Sequence, residues 1–263
     1  SAYRTKEEID MWMEQDSLIE YRNKLSKGGI AKDEEFDSIL TDTASLIFKI
    51  YKMAIDETIT PKMDLVANPR AIESLMFSNK RIEKMEDRPC DAYIPLEENV
   101  RYQQVQKKER MGVVNGVAVS KNKVYQVRDA IFEAMIEKFY TDPTLVAYGE
   151  ENREWGGAFA AYRGLSDSMP YHRLFNSSIS EAAIVGSAVG YAMAGGRAVV
   201  ELMYCDFLGR AGDEVFNQLP KWQSMSAGIL NMPVVLRVSV GAKYGAQHSQ
   251  DWTSLCAHIP GLK

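Results

Sequence analysis

Three sets of residues in this sequence have the types and spacing for chemistry. Glu181 ends the run Ser178-Ile179-Ser180-Glu181. That run matches a capping box, in which the serine hydroxyl and the glutamate carboxylate satisfy free backbone N–H groups at a helix start. The cap is its simplest local reading; the other is that the carboxyl group acts on something bound beside it. His248 lies in Tyr244-Gly245-Ala246-Gln247-His248-Ser249-Gln250, a polar loop directly after an apolar run. Loops at the C-terminal ends of parallel strands are where such sheets present chemistry; the alternative for one of three histidines (His172, His248, His258) is a hydrogen-bonded structural role. Gly186, Gly190 and Ala194, four residues apart, leave one helix face nearly bare. Such a face suits close packing, against the domain's own sheet or across a subunit interface.

Other chemistries find no motif. There is no GxxxxGK[ST] and no GxGxxG after a strand, and Gly212-Asp213-Glu214 is a partial echo of a GDG diphosphate motif inside a helical pattern, read as surface. No Ser-His-Asp or Cys-His arrangement follows from spacing. Cys90, Cys205 and Cys256 are widely spaced and form no CxxC, which argues against a disulfide framework and a zinc site and fits a reducing cytoplasm.

The elements that must position these residues lie in the second half. VYQVRDAIFEAMIEKFY (124–140) predicts a helix with Val127, Ile131, Ala134, Met135 and Phe139 on one stripe, stopped by Asp142-Pro143. LVAYG (145–149), AVVELM (198–203) and VVLRVSV (234–240) are β-branched runs separated by helical patterns at 180–196 and 206–225. Strand and helix in alternation predict an α/β fold, a parallel sheet flanked by helices. Pro220 predicts a break in the last helical pattern. Upstream, residues 1–58 are polar and helical in character, with Leu46, Ile47, Ile50, Tyr51 and Ala54 on one face. Such a segment buries little alone and needs a partner surface. Residues 59–122 are proline-interrupted and densely charged, notably at 80–88 and 107–110, and are expected as a linker between modules. The expected division is therefore a helical tail (1–58), a linker (59–122) and an α/β domain (123–263).

Composition bounds the partners. With 31 Lys plus Arg against 36 Asp plus Glu the net charge is −5, without the basic excess that tracks a phosphate backbone, so nucleic acid is not an expected partner. The longest uncharged stretches, 182–196 and 222–236, fall short of the roughly 20 apolar residues of a membrane span. SAYRTKEEIDMW at the N-terminus is charged from its fourth residue and does not read as a signal peptide.

Four long motifs in order, GEENREWGGAFAAYRGL, SISEAAIVGSAVGYAMAGG, YCDFLGRAGDEVFNQLPKW and YGAQHSQDWTSLCAHIPGLK, resemble the β subunit of pyruvate and branched-chain 2-oxo acid dehydrogenases over about residues 121–263. SAYRTKEEIDMWMEQDSLIEYRNKL resembles the C-terminal tail of the α subunit of the same enzymes. Together they imply an internal fragment of a fused α/β thiamine-diphosphate-dependent E1 component, with a transketolase-like pyrimidine domain cut short at its C-terminus.

The resemblance implies a cofactor shared between halves. The missing α-like half would hold the diphosphate and its Mg²⁺, and the β-like half the aminopyrimidine. Glu181 in ISEAAIVG matches the glutamate that binds the pyrimidine N1′, where an acid is needed to activate the thiazolium C2. Phe207 in YCDF matches the aromatic packed on the pyrimidine ring, and Glu150 and Ile179 match residues lining that pocket. His248 matches the histidine associated with passing the acyl group to lipoamide. No residue of this chain is expected to bind metal. One departure is Ser178, where many members have proline. The implied activity is oxidative decarboxylation of a 2-oxo acid with transfer to the lipoyl domain of an E2 acyltransferase, by a homo-oligomer in the cytoplasm. The alternatives are an acetoin-cleaving E1 and a non-catalytic assembly fragment, and the fragment alone is expected to be inactive.

Overall fold

The computed structural model describes residues 5–76 and 81–263. Residues 1–4 of the tail motif and Lys80, where a charged run begins, lie outside the described residues. Two compact units are present, Ser1–Asn68 and Pro69–Lys263.

The first unit consists of helices α1 (Lys6–Glu14), α2 (Ser17–Lys27) and α3 (Asp33–Ile55). Thr5 caps α1 and Asp16 caps α2 through side-chain oxygens, the usual service of such residues at a helix start. Arg22 of α2 reaches Asp33 at 3.1 Å and Asp37 at 2.8 Å on α3. None of the three helices contains a buried residue.

In the second unit α4 (Ala71–Met76) and α5 (Val100–Gln106) precede a hairpin of β1 (Val113–Val114) and β2 (Val117–Ala118). Asn115 and Gly116 form its turn with φ of 50° and 78°, the left-handed pair that two-residue hairpins favour. The stretch expected as a linker is exposed over most of its length and is anchored at separate points. Val105 is buried with Phe132, and Asn99 donates to the Gly164 carbonyl and to Ser168 Oγ at 2.8 Å each. Lys108 pairs with the buried Asp129 at 2.7 Å and Arg110 with Glu133 at 2.8 Å. Contacts with the α/β body therefore begin before residue 123. The anchors are single buried residues between exposed ones, which leave no periodicity to read.

Helix α6 (Val127–Thr141) leads into β3 (Leu145–Gly149), followed by β4 (Leu174–Asn176), α7 (Glu181–Met193), β5 (Arg197–Leu202), α8 (Leu219–Met225), β6 (Val234–Val238), and the short α9 (Gly245–His248) and α10 (Thr253–His258). The four longer-range strands form one parallel sheet in the order β4-β3-β5-β6. Strand β4 was not anticipated: three residues between loops are too few to show alternation. The buried stripe of α6 is Phe132, Met135, Ile136 and Phe139, and Val127 is exposed. The expected stripe is thus corrected at Val127 and Ala134, which are exposed, and at Phe132 and Ile136, which are buried in their place: the buried face is rotated towards the side that carries Asp129. Pro220 begins α8 directly after a π-helical turn at Glu214–Gln218, so the break falls at the expected proline.

Side chains alternate across the sheet. Leu145, Ala147 and Leu174 face α6, whereas Tyr148, Val200 and Leu202 face α7 and the 3-10 segment Cys205–Ala211. Helix α7 buries Ile184, Val185, Ala188 and Val189 against the sheet. On its other side, a Cβ on Gly190 would meet nothing within 4 Å. Among the described residues no helix is long and apolar enough to cross a membrane.

Candidate functional site

The chain leaves β3 for β4, returns across β3 through α7 to β5, and continues to β6. In an open α/β sheet the crevice outside the carboxyl ends of the strands at such a reversal is the favoured ligand position. Glu150 follows β3 immediately, Glu181 opens α7 after β4, Phe207 lies after β5 and His248 after β6. All four lie beyond the C-terminal ends of the strands.

Glu181 is buried at the first position of α7, with 8% of its surface exposed. Ser180, not Ser178, is the N-cap, and no side-chain hydrogen bond caps the helix. The capping box suggested by S-x-x-E does not form: Glu181 falls at the first helical position and not the third, where the reciprocal bond is made. Glu150 is half-buried, and its Oε1 is buried without a hydrogen-bond partner. Burial pushes the Glu150 carboxyl above the ordinary carboxylate range, and the neighbouring charge of Glu181 adds to the rise. Tyr148 fixes the spacing of these two acids. Its ring stacks on Phe175 of β4 at 4.7 Å, and its hydroxyl lies 2.7 Å from Ser187 Oγ and donates to the Ile184 carbonyl on α7 at 3.2 Å.

The other side of the edge is aromatic. His248 stacks on Tyr204 at 4.5 Å and meets Phe207 edge-on at 5.7 Å between ring centroids. Its Nδ1 lies 3.2 Å from Asp206 Oδ2, and the Asp206 side chain is 7% exposed. A carboxylate on Nδ1 orients the ring and selects its tautomer. Gly241, just beyond β6, admits this loop: a Cβ there would stand 1.9 Å from the His248 carbonyl oxygen. The Cys205 thiol donates to the Gln250 carbonyl at 2.6 Å, holding the loop from behind.

On the face towards α6, Glu201 of β5 and Arg237 of β6 form a buried ion pair. Glu201 Oε1 accepts the Ala158 N–H at 2.7 Å and Arg237 donates to the Ala158 carbonyl at 2.8 Å. Arg101 donates to the Ala160 carbonyl at 3.0 Å. These bonds hold Phe159 and Ala160 at φ of 58° and 54°, a left-handed conformation that costs a non-glycine residue about 1 to 3 kcal/mol. Gly157 (φ 66°) completes the turn, since a Cβ on it would lie 2.7 Å from Glu201 Oε1. Tyr162 is enclosed in the same cluster, and burial pushes its hydroxyl up to about 12.

Of the five residues singled out in the sequence, the structure pairs Glu150 with Glu181 and Phe207 with His248. Ile179 is 82% exposed and joins neither pair. Asp206, Tyr204, Gly241 and the Glu201–Arg237 pair were not singled out. Asp206 adjoins Phe207 within YCDF, but its bond to His248 spans 42 residues and leaves no local trace. Among the described residues no group of three or more His, Cys, Asp and Glu side chains is placed to hold a metal ion.

Residues 123–263 match the family described as transketolase, pyrimidine binding domain. The chain is 40% identical over 149 residues to the beta subunit of acetoin:2,6-dichlorophenolindophenol oxidoreductase of Cupriavidus necator, covering 52% of this chain and 44% of that protein. It is 41% identical over 139 residues to pyruvate dehydrogenase E1 component subunit beta-1, mitochondrial, of Oryza sativa subsp. japonica, covering 52% of this chain and 37% of that one. For pyruvate dehydrogenase E1 component subunit beta of Rickettsia conorii the identity is 39% over 139 residues, covering 52% and 43%. The chain thus spans less than half the length of these relatives.

Proposed function

Because this chain belongs to the transketolase pyrimidine-binding-domain family, we propose that it supplies the aminopyrimidine-holding half of a thiamine diphosphate site in a 2-oxo acid dehydrogenase E1 component. The observation that carries this reading is Glu181: a buried acid at the start of α7 with no capping bond, facing the edge where an α/β sheet binds ligands. Its side chain makes no hydrogen bond among the described residues, and a ring nitrogen would supply one. The unpartnered Oε1 of Glu150 and the half-buried ring of Phe207 fit the rest of an aromatic, hydrogen-bonding heterocycle.

When bound, thiamine diphosphate supplies a thiazolium C2 nucleophile for the keto carbon of the substrate. Glu181 would bind N1′ and hold the proton there, Phe207 would pack on the ring, and Glu150 and Ile179 would border the pocket. His248, oriented by Asp206, would bind or protonate an acyl acceptor. The diphosphate and Mg²⁺ would belong to an α-like half, as the family resemblance implies, with Mg²⁺ held there by oxygen ligands. In this reading residues 1–58 end that half, 59–122 connect, and 123–263 form the pyrimidine domain. The lipoyl domain of an E2 acyltransferase would receive the acyl group, and the assembly would be a cytoplasmic homo-oligomer. Acetoin cleavage is the second reading, favoured by the 40% identity to the Cupriavidus necator protein.

Glu181→Gln in the complete protein tests the assignment. C2 proton exchange, followed by NMR with bound cofactor, should fall by about 10² to 10⁴, the usual worth of a positioned proton-transfer group, while cofactor affinity changes little. Exchange at the unmodified rate would return Glu181 to a structural role.

A further inference from the structure

The loop that carries Glu150 is gripped from outside the sheet. Between β3 and β4, Glu151, Phe159 and Ala160 all adopt left-handed backbone, with φ of 54°, 58° and 54°. Non-glycine residues stay in that region only where their surroundings hold them there. The Glu201–Arg237 pair supplies one grip, at Ala158. A second comes from the segment ahead of α6, which precedes the residues that match the family. Asn99, fully buried at the start of α5, donates to the Gly164 carbonyl and to Ser168 Oγ, and the Tyr93 N–H donates to the Ser168 carbonyl at 2.8 Å. Arg101 of α5 donates to the carbonyls of Ala160 at 3.0 Å, of Ala161 at 3.3 Å and of Arg163. Its hydrogen-bond partners among the described residues are thus all backbone carbonyls of this loop. Its guanidinium carbon lies 4.2 Å from the centre of the Phe132 ring. Gly164, at φ 86°, lets the two segments close up, since a Cβ there would lie 3.1 Å from the Arg101 Cβ.

We infer that Arg101 is a positioning residue for Glu150, acting through this loop. The path is a run of backbone hydrogen bonds. Arg101 fixes the carbonyls on either side of Tyr162, whose N–H donates to the Gly156 carbonyl at 2.8 Å. The next residue, Gly157, donates to the Glu151 carbonyl at 2.9 Å, which closes the left-handed step directly after Glu150. A guanidinium suits this place because it packs on an aromatic ring and donates hydrogen bonds at once, whereas an ammonium is a strongly hydrated point charge. Without it the loop carbonyls lose a charged donor, the left-handed residues relax, and the Glu150 carboxyl leaves its half-buried position. The catalytic consequence rests on the cofactor reading above. The positioning itself belongs to this chain and can be read on the carboxyl directly.

Amide hydrogen exchange on the full 263-residue chain, followed by mass spectrometry, tests the proposal with Arg101→Met, which keeps an apolar stem on Phe132 and removes the donors. Exchange in peptides from residues 151–165 should quicken by about ten- to a hundredfold, the scale of a lost hydrogen bond to a charged group. Peptides from β5 and α7 should exchange as in the wild type. NMR titration of the side-chain carboxyl groups should show the Glu150 pKa falling towards its ordinary value, because burial is the main cause of its elevation. If Arg101→Met does not fold, Arg101→Lys must show the same local pattern at smaller size. Acceleration spread evenly through β5 and α7 would make Arg101 a scaffold residue and overturn the proposal. So would a loop that exchanges at the wild-type rate, or a Glu150 that titrates unchanged. None of these outcomes depends on bound cofactor, so the Glu181→Gln experiment remains a separate test of the cofactor reading.

Discussion

At the scale of single residues, Glu150 behaves differently from an exposed carboxylate because of what surrounds it. Burial, and then the charge of Glu181, raises the Glu150 pKa above its ordinary value. A carboxyl raised in the folded state binds its proton more tightly there than in the unfolded chain. Its stabilising contribution is therefore complete below the ordinary carboxylate range and is lost as pH rises through the folded-state value. Glu150→Gln should raise the thermal midpoint of the chain at pH 7 to 8, and the gain should shrink towards pH 4. Scanning calorimetry across that range checks the sign; a midpoint lowered at neutral pH would mean that Glu150 is held by favourable contacts as an anion. For His248→Ala, transfer to a lipoyl acceptor should fall more than turnover with an artificial electron acceptor, assayed on the complete protein. Equal losses would place His248 in decarboxylation, and no loss would leave it a structural histidine.

At the scale of elements, the loop between β3 and β4 is the part that most needs external support. It carries two consecutive non-glycine residues in left-handed conformations, and the Glu201–Arg237 pair grips the peptide just before them. Arg237→Met should destabilise the domain by about 3 to 5 kcal/mol, because it leaves Glu201 buried and unpaired. Combining it with Glu201→Leu should cost less than the sum of the single changes. Urea unfolding of the four proteins measures that coupling, and strict additivity would show that the pair does not act as a unit. The hairpin before α6 is tied differently. Arg110 holds the Glu133 carboxyl down to about 2, helped by Tyr125 and Gln106. A depressed acid stabilises the fold above its ordinary pKa and ceases to do so as pH falls towards 2, so this attachment should loosen only in strong acid.

For the whole molecule, the charge of the proposed cofactor decides what the chain can do alone. The diphosphate carries most of that charge, and its burial needs Mg²⁺ and oxygen ligands. Glu150, Glu181 and Phe207 offer only part of the contact surface. Calorimetric titration of thiamine diphosphate with Mg²⁺ into the chain should show no tight binding. Stoichiometric binding by the chain alone would overturn the division of the site between two halves.

How much of this was legible in the sequence follows from the range of each interaction. Periodicity and β-branched runs determined the parallel α/β class and three of its four strands, since alternation and helical spacing are local properties. Ordered motifs marked Glu150, Glu181, Phe207 and His248, because each stands within a contiguous run. The apolar face of Leu46, Ile47, Ile50, Tyr51 and Ala54 was likewise visible as one in want of a partner. Only the tertiary structure decided that Glu181 is no cap, since a shift of two residues in the helix start separates the two roles. The bond from Asp206 to His248, the clearance that Gly241 gives the loop, and the packing of residues 90–110 onto α6 also required it. Each joins residues distant in sequence through single contacts, and a single contact imposes no pattern on the chain around it.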